Sequence, residues 1–131
     1  MLACIIDFKI MGDHRGQLVA LEANKEIPFD IKRVYYIFDT KEGVERGFHG
    51  HINLKQVAIV VKGSCVFTLD DGRIRKEIKL NNPNQGLLIE GLIWREMKDF
   101  SSDCVLLVLA SERYDESDYI RDYNQFLEVT K

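Results

Sequence analysis

Two of the chain's three histidines, His49 and His51, stand one residue apart in Arg46-Gly47-Phe48-His49-Gly50-His51. In an extended strand, side chains at i and i+2 leave the same face. The spacing therefore predicts two imidazoles aimed into one space. Imidazole gives and takes protons near neutral pH and is also the commonest metal ligand, so acid–base chemistry and metal binding are both open. Two satisfied structural histidines are the bland alternative. The pairing of two out of three histidines, with glycines around them, argues against it. The other residues suited to chemistry are arginines, whose planar charged forks hold phosphate or an enolate oxygen. Arg15, Arg33, Arg46 and Arg95 each fall on an expected strand or turn beside the pair. A solvated surface position is the ordinary fate of an arginine. Arg33 stands out because it begins an aromatic strand that also carries Tyr35, and Arg46 because it opens the histidine strand.

The elements that must position these side chains are mostly strands. The stretch 32–39 contains Arg33-Val34-Tyr35-Tyr36-Ile37-Phe38, almost all β-branched or aromatic. The run 55–62 is apolar throughout its middle and ends at Gly63, the pattern of a strand buried on both faces. Alternating segments at 64–70 and 73–80 flank Asp71-Gly72, a strong hairpin signal. Further strands are expected at 2–9, 17–22, 86–89, 93–98 and 103–111. Only the tail reads as helical: Asp115 is expected to cap it, and Tyr119, Tyr123 and Phe126 keep helical spacing as a stripe docking on the sheets. About ten short strands followed by one helix predict an all-β sandwich or jelly roll with a short C-terminal helix. The 131 residues are expected to form one domain, 1–131. The strand at 2–9 is expected to lie on an edge and to complete a partner's sheet in a homodimer.

Composition narrows the partners. A formal charge of −3 gives no electrostatic case for nucleic acid or an anionic membrane, although a local basic pocket for phosphate is compatible with it. No apolar run approaches membrane-spanning length. Residues 1–10 are interrupted by Asp7 and Lys9 and lack a basic leader, so they read as a strand and not a signal peptide. Cys4, Cys65 and Cys104 are odd in number and have no metal-like spacing. They read as reduced residues of a cytoplasmic protein.

The histidine stretch carries a longer pattern. Gly47 is followed by His49-Gly50-His51, four residues, Gln56, six residues and Gly63. This resembles the first motif of the cupin superfamily, in which a glutamate takes the place of Gln56. Pro83 and Gly86 are similar to parts of the second cupin motif, where Arg95 occupies the place of a third imidazole. The resemblance implies a cupin jelly roll whose metal set of His, His, Glu and His has become His, His, Gln and Arg. An arginine does not shed its proton to ligate a metal. Two imidazoles alone fall short of a usual zinc or iron site. No metal and no cofactor are expected.

Within the cupins, Arg46-Gly47-Phe48-His49 resembles the Arg-Gly-x-His stretch of the dTDP-4-dehydrorhamnose 3,5-epimerases, whose histidine is the base. A closer resemblance, nearly end to end, is to the dTDP-4-oxo-6-deoxyglucose 3,4-ketoisomerases. It is carried by Arg15-Gly16-x-Leu18-Val19-Ala20, by 31–38, by Arg46-Gly47-Phe48-His49-x-His51, by Leu69-Asp70-Asp71-Gly72, by 99–104, and by Asp118-Tyr119-Ile120-Arg121. It implies a dTDP-linked 4-keto-6-deoxyhexose as substrate. His49 is implied as the base at C3, with His51 as its partner in proton transfer. Arg15, Arg33, Tyr35, Arg46 and Arg95 are implied as substrate contacts. It further implies a homodimer with swapped N-terminal strands. Members with arginine at the position of Arg95 give the gluco product and members with histidine the galacto product. Arg95 points to gluco, but Arg15 leaves the configuration open. A metal-dependent cupin enzyme and a non-catalytic nucleotide-sugar-binding module are the alternative readings.

Overall fold

A computed structural model of the chain describes residues 2–131. Its strands run β1 (Cys4–Asp7), β2 (Met11–Asp13), β3 (Gly16–Leu18), β4 (Arg33–Ile37), β5 (Arg46–His51) and β6 (Gln56–Lys62). They continue as β7 (Cys65–Asp70), β8 (Arg75–Leu80), β9 (Gln85–Ile89), β10 (Trp94–Lys98), β11 (Val105–Ala110) and β12 (Tyr119–Ile120), and one helix, α1 (Tyr123–Val129), follows. Two five-stranded sheets, ordered β1-β9-β6-β11-β4 and β12-β5-β10-β7-β8, make the jelly-roll sandwich, with β2 and β3 forming a separate hairpin. This is the all-β cupin architecture with a short C-terminal helix.

The sequence of β6 explains why the fold has two apolar layers. Its first five residues are buried, so both faces of the strand are covered. Ala58 and Val60 join Phe67, Leu87, Leu106 and Val108 in the core between the sheets. Val57 and Ile59 point the other way, beneath Ile27 and Phe29. Each of the Val, Leu, Ile and Phe side chains here contributes about 1.5–3 kcal/mol when fully buried. The segment 19–31 therefore works as a cover on the outer face of the first sheet. This corrects the expected strand at 17–22: only Gly16–Leu18 is extended, as the outer arm of an exposed hairpin. The expected strand at 2–9 is likewise shorter, an edge strand of four residues paired with β9 of the same chain.

The tail departs from expectation in a way that matters for function. Asp115 does cap, its carboxylate accepting from the Ser117 N–H, but only a single 3-10 turn, Glu116–Asp118, follows. Tyr119 and Ile120 then extend and pair with His51 and Gly50. Pairing with a neighbouring strand has overridden local helical preference here, as tertiary context commonly does. A second cap, Asp122, accepts from the Gln125 N–H and starts α1. Phe126 of α1 packs with Trp94 and Ile120 on the outside of the second sheet. It lies so close to Gly50 that a Cβ there would come within 3.2 Å of its ring.

A bulge shapes the histidine strand. Arg95 pairs with His49 and Glu96 with Gly47, which leaves Phe48 as the extra residue on β5. Gly47 has φ +90° and Phe48 φ +60°. Left-handed backbone at a phenylalanine is strained and persists only where surrounding structure enforces it. A Cβ on Gly47 would sit 2.9 Å from the Arg95 carbonyl oxygen. Gly47→Ala should accordingly lower stability by about 1–3 kcal/mol, read as a drop in thermal midpoint. An unchanged midpoint would show that the bulge relaxes freely.

Candidate active site

The alternation of four strands delivers the expected residues to one space between the sheets. Arg33 and Tyr35 come from β4, Gln56 from β6, His49 and His51 from β5, and Arg95 from β10. The two imidazoles meet edge to face with ring centroids 4.9 Å apart. Tyr119 covers both, at 5.0 Å from His49 and 4.2 Å from His51. Two cavities open on either side of Tyr119. One, of about 710 Å³, is bordered by His51, Lys32, Arg33 and Arg113. The other, of about 500 Å³, is bordered by His49, Tyr35, Arg46 and Arg121. Arg33 and Tyr119 line both. The positive charges suit an anionic ligand and the aromatic rings suit a flat or sugar-like one.

Arg95 is the most unusual of these residues. Its side chain is fully buried, with Nη1 donating to Gln56 Oε1 at 2.5 Å and Nη2 to the Ile93 carbonyl at 3.0 Å. Gln56 in turn donates from Nε2 to the Tyr35 hydroxyl oxygen at 3.0 Å. That chain of bonds leaves the Tyr35 O–H hydrogen free for another acceptor. Burial pushes the Arg95 pKa down to about 10, still cationic near neutral pH, and pushes the Tyr35 phenol up. The charge on Arg95 acts on the histidines. Burial first, and then Arg95, hold His49 down to about 4 and His51 down to about 2. Both rings are therefore neutral and able to accept protons near pH 7.

The donor set does not fit the metal of the cupin fold. Arg95, bonded to Gln56, fills the place of the last ligand, and a fixed cation repels a dication. Among the described residues no group of three or more His, Cys, Asp or Glu side chains is arranged to hold a metal ion. Four buried side-chain nitrogens have no protein partner: Arg33 Nε, His49 Nδ1, His51 Nε2 and Arg95 Nε. All four belong to this site. Buried polar groups ordinarily find partners, so this cluster marks capacity held for a bound molecule.

Two residues packed against the histidines were not among the expected site residues. Asp118 Oδ2 lies 3.1 Å from His51 Nδ1, and Tyr119 roofs both rings. Both fall in the tail whose spacing predicts a helix. Two capping aspartates, Asp115 and Asp122, with Tyr119-Ile120 between them, were the available sign of two short turns flanking an extended dipeptide. Arg46 borders the second cavity, where the histidine strand begins. Arg15 is different. It is carried on the β2–β3 hairpin, 80% exposed, pairs with Asp13 at 2.6 Å and borders neither cavity.

Comparison with known proteins agrees with this geometry. The family model described as FdtA, WxcM-like, C-terminal, matches residues 1–131. The TDP-4-oxo-6-deoxy-alpha-D-glucose-3,4-oxoisomerase of Aneurinibacillus thermoaerophilus is 58% identical over 122 residues, covering 93% of this chain and 88% of that protein. A 3,4-ketoisomerase from Helicobacter canadensis superposes with a TM-score of 0.96 at 53% identity, covering 99% of this chain and 98% of the other. A histidine-to-asparagine mutant of the 3,4-ketoisomerase QdtA from Thermoanaerobacterium thermosaccharolyticum, solved with TDP-4-keto-6-deoxyglucose, superposes with a TM-score of 0.96 at 46% identity, covering 98% and 94%. The chain thus belongs to the FdtA family, the WxcM-like C-terminal family.

Proposed function

We propose that the chain is a sugar 3,4-ketoisomerase acting on dTDP-4-oxo-6-deoxy-D-glucose and forming the dTDP-linked 3-oxo-6-deoxyhexose. The observation that carries this is a pair of uncharged imidazoles, His51 buried and His49 half-buried, facing arginine-lined space beside a buried cation. His49 takes the proton from C3, and an enediol or enediolate forms across C3 and C4. A proton returns at C4 and the ketone ends at C3. His51 is the partner that passes or returns protons. Hydrogen moves only between neighbouring atoms, so the reaction needs no redox cofactor. Arg95 and the Tyr35 hydroxyl stabilise the developing oxyanion, while Arg33 and Arg46 hold the diphosphate. Burial is the larger cause of the depressed histidines; the bound anion offsets the Arg95 repulsion that adds to it, and so makes both stronger bases.

The working form is a homodimer in which the N-terminal hairpin strands β2 and β3 are exchanged, while β1 stays paired with β9 of its own chain. The β2–β3 hairpin stands clear of the sheets with Ile10, Met11 and Leu18 exposed. An arm of that kind lets Arg15 reach a partner's site. A nucleotide-sugar substrate and three free cysteines fit a cytoplasmic enzyme.

His49→Asn should lower kcat by roughly 10²–10⁴-fold while dTDP affinity, measured by calorimetry, changes little; near-wild-type turnover removes the base assignment. In D2O the wild-type chain should place solvent deuterium at C3 or C4 of the sugar, which a mere binding module does not do. The pH profile of kcat/KM should stay level from about pH 8 to about pH 5 and fall only below that, as His49 takes a proton; an acid limb centred near the ordinary histidine value of about 6.5 would contradict the depressed pKa. Light scattering at micromolar concentration should give twice the monomer mass, and a monomer would exclude the exchanged-strand assembly.

A further inference from the structure

The carboxylate of Asp118 is built into the turn that precedes β12. Its Oδ1 accepts the Asn53 N–H at 2.7 Å, and its Oδ2 accepts the Leu54 N–H at 3.3 Å and faces His51 Nδ1 at 3.1 Å. Its backbone carbonyl also accepts the Ile52 N–H at 3.1 Å. The strand pairing of Tyr119 with His51 fixes the register of the two segments. Asp118 is therefore tied to the backbone just beyond His51 at three points before it meets the ring. A carboxylate oxygen only accepts, so the ring nitrogen facing it carries the hydrogen. His51 then has N–H at Nδ1 and a lone pair at Nε2, the buried nitrogen that has no protein partner.

We infer that Asp118 is a positioning residue that holds His51 in the Nδ1–H form, so that its Nε2 carries the hydrogen of the sugar's 3-hydroxyl to the oxygen at C4 while His49 takes the C3 proton. This rests on the ketoisomerase reading and divides its labour. In net terms the reaction moves two hydrogens, one from C3 to C4 and one from O3 to O4. When His49 removes the C3 proton, that C–H pair becomes the C3–C4 double bond and the former carbonyl pair moves onto O4. His51 Nε2 accepts the O3 hydrogen, becomes a cation with both nitrogens protonated beside the Asp118 carboxylate, and delivers the hydrogen to O4. The O3 pair forms the new carbonyl at C3, the double-bond pair takes a solvent-derived proton at C4, and His49 gives its proton up to solvent. Both rings end as they began, and no electron leaves the sugar.

In Asp118→Asn, the amide oxygen keeps the shorter bond to the Asn53 N–H at 2.7 Å, and the NH2 gives up the longer Leu54 contact at 3.3 Å, faces His51 and reverses its tautomer. Long-range proton–nitrogen NMR on 15N-histidine-labelled protein should show His51 protonated at Nδ1 in the wild-type chain and at Nε2 in the variant. The variant's kcat should fall roughly a hundredfold or more, with KM within about threefold. The wild-type spectrum needs no variant to fold and no substrate, so it is read independently of which sugar the enzyme takes. A wild-type His51 protonated at Nε2 overturns the inference. So does a variant whose tautomer switches while kcat stays within threefold.

Discussion

A guanidinium without a carboxylate against it lies at the centre of the site. Arg95 is held by one amide oxygen and one backbone carbonyl, and no salt bridge to it exists among the described residues. Taking such a charge out of water costs several kcal/mol even after the protein relaxes. Two hydrogen bonds and the distant charge of Asp118 offset only part of that. The arrangement places a positive charge beside the histidines before any ligand arrives. Together with burial, which is the larger cause, the same charge holds two histidines neutral, and Arg95 Nε has no protein partner. A preorganised dipole or charge of this kind needs no reorganisation during reaction.

Everything else places groups around that charge. β10 brings Arg95 opposite His49, and the bulge at Gly47-Phe48 keeps the register between them. β6 supplies Gln56, whose two ends tie Arg95 to Tyr35. The C-terminal segment closes the arrangement from the side. β12 roofs the imidazoles with Tyr119, and α1 seats Phe126 against the bare backbone of Gly50. Tyr123 donates to Asp70 at 2.6 Å and anchors the same helix to β7. The strand bearing the histidines is thus gripped by β10 along one edge, β12 along the other, and a helix behind.

Much of this was legible in the sequence because the strands alternate cleanly. The i, i+2 spacing of His49 and His51, the two-faced apolar run of β6 and the motif position of Arg95 each correspond to a feature of the fold. Tyr119 and Asp118 were hidden because their neighbours suit a helix, and only the pairing with β5 turns them into a strand. That pairing spans 67 residues between His51 and Asp118, and no local pattern encodes it. The cover formed by 19–31 was hidden for a similar reason: its apolar residues serve the back of β6 without forming a ladder. Arg15 illustrates the opposite case, a residue singled out by its motif whose place in one chain lies away from both cavities.

Arg95 stands where the resemblance to the cupins places a third imidazole, and that has a consequence for the cell. A borrowed metal ion is subject to supply, and a tighter-binding competitor can displace it. A charge carried on a side chain is made together with the polypeptide. It survives iron or zinc starvation, and copper cannot evict it. Its strength is set once, by the depth at which the arginine is buried.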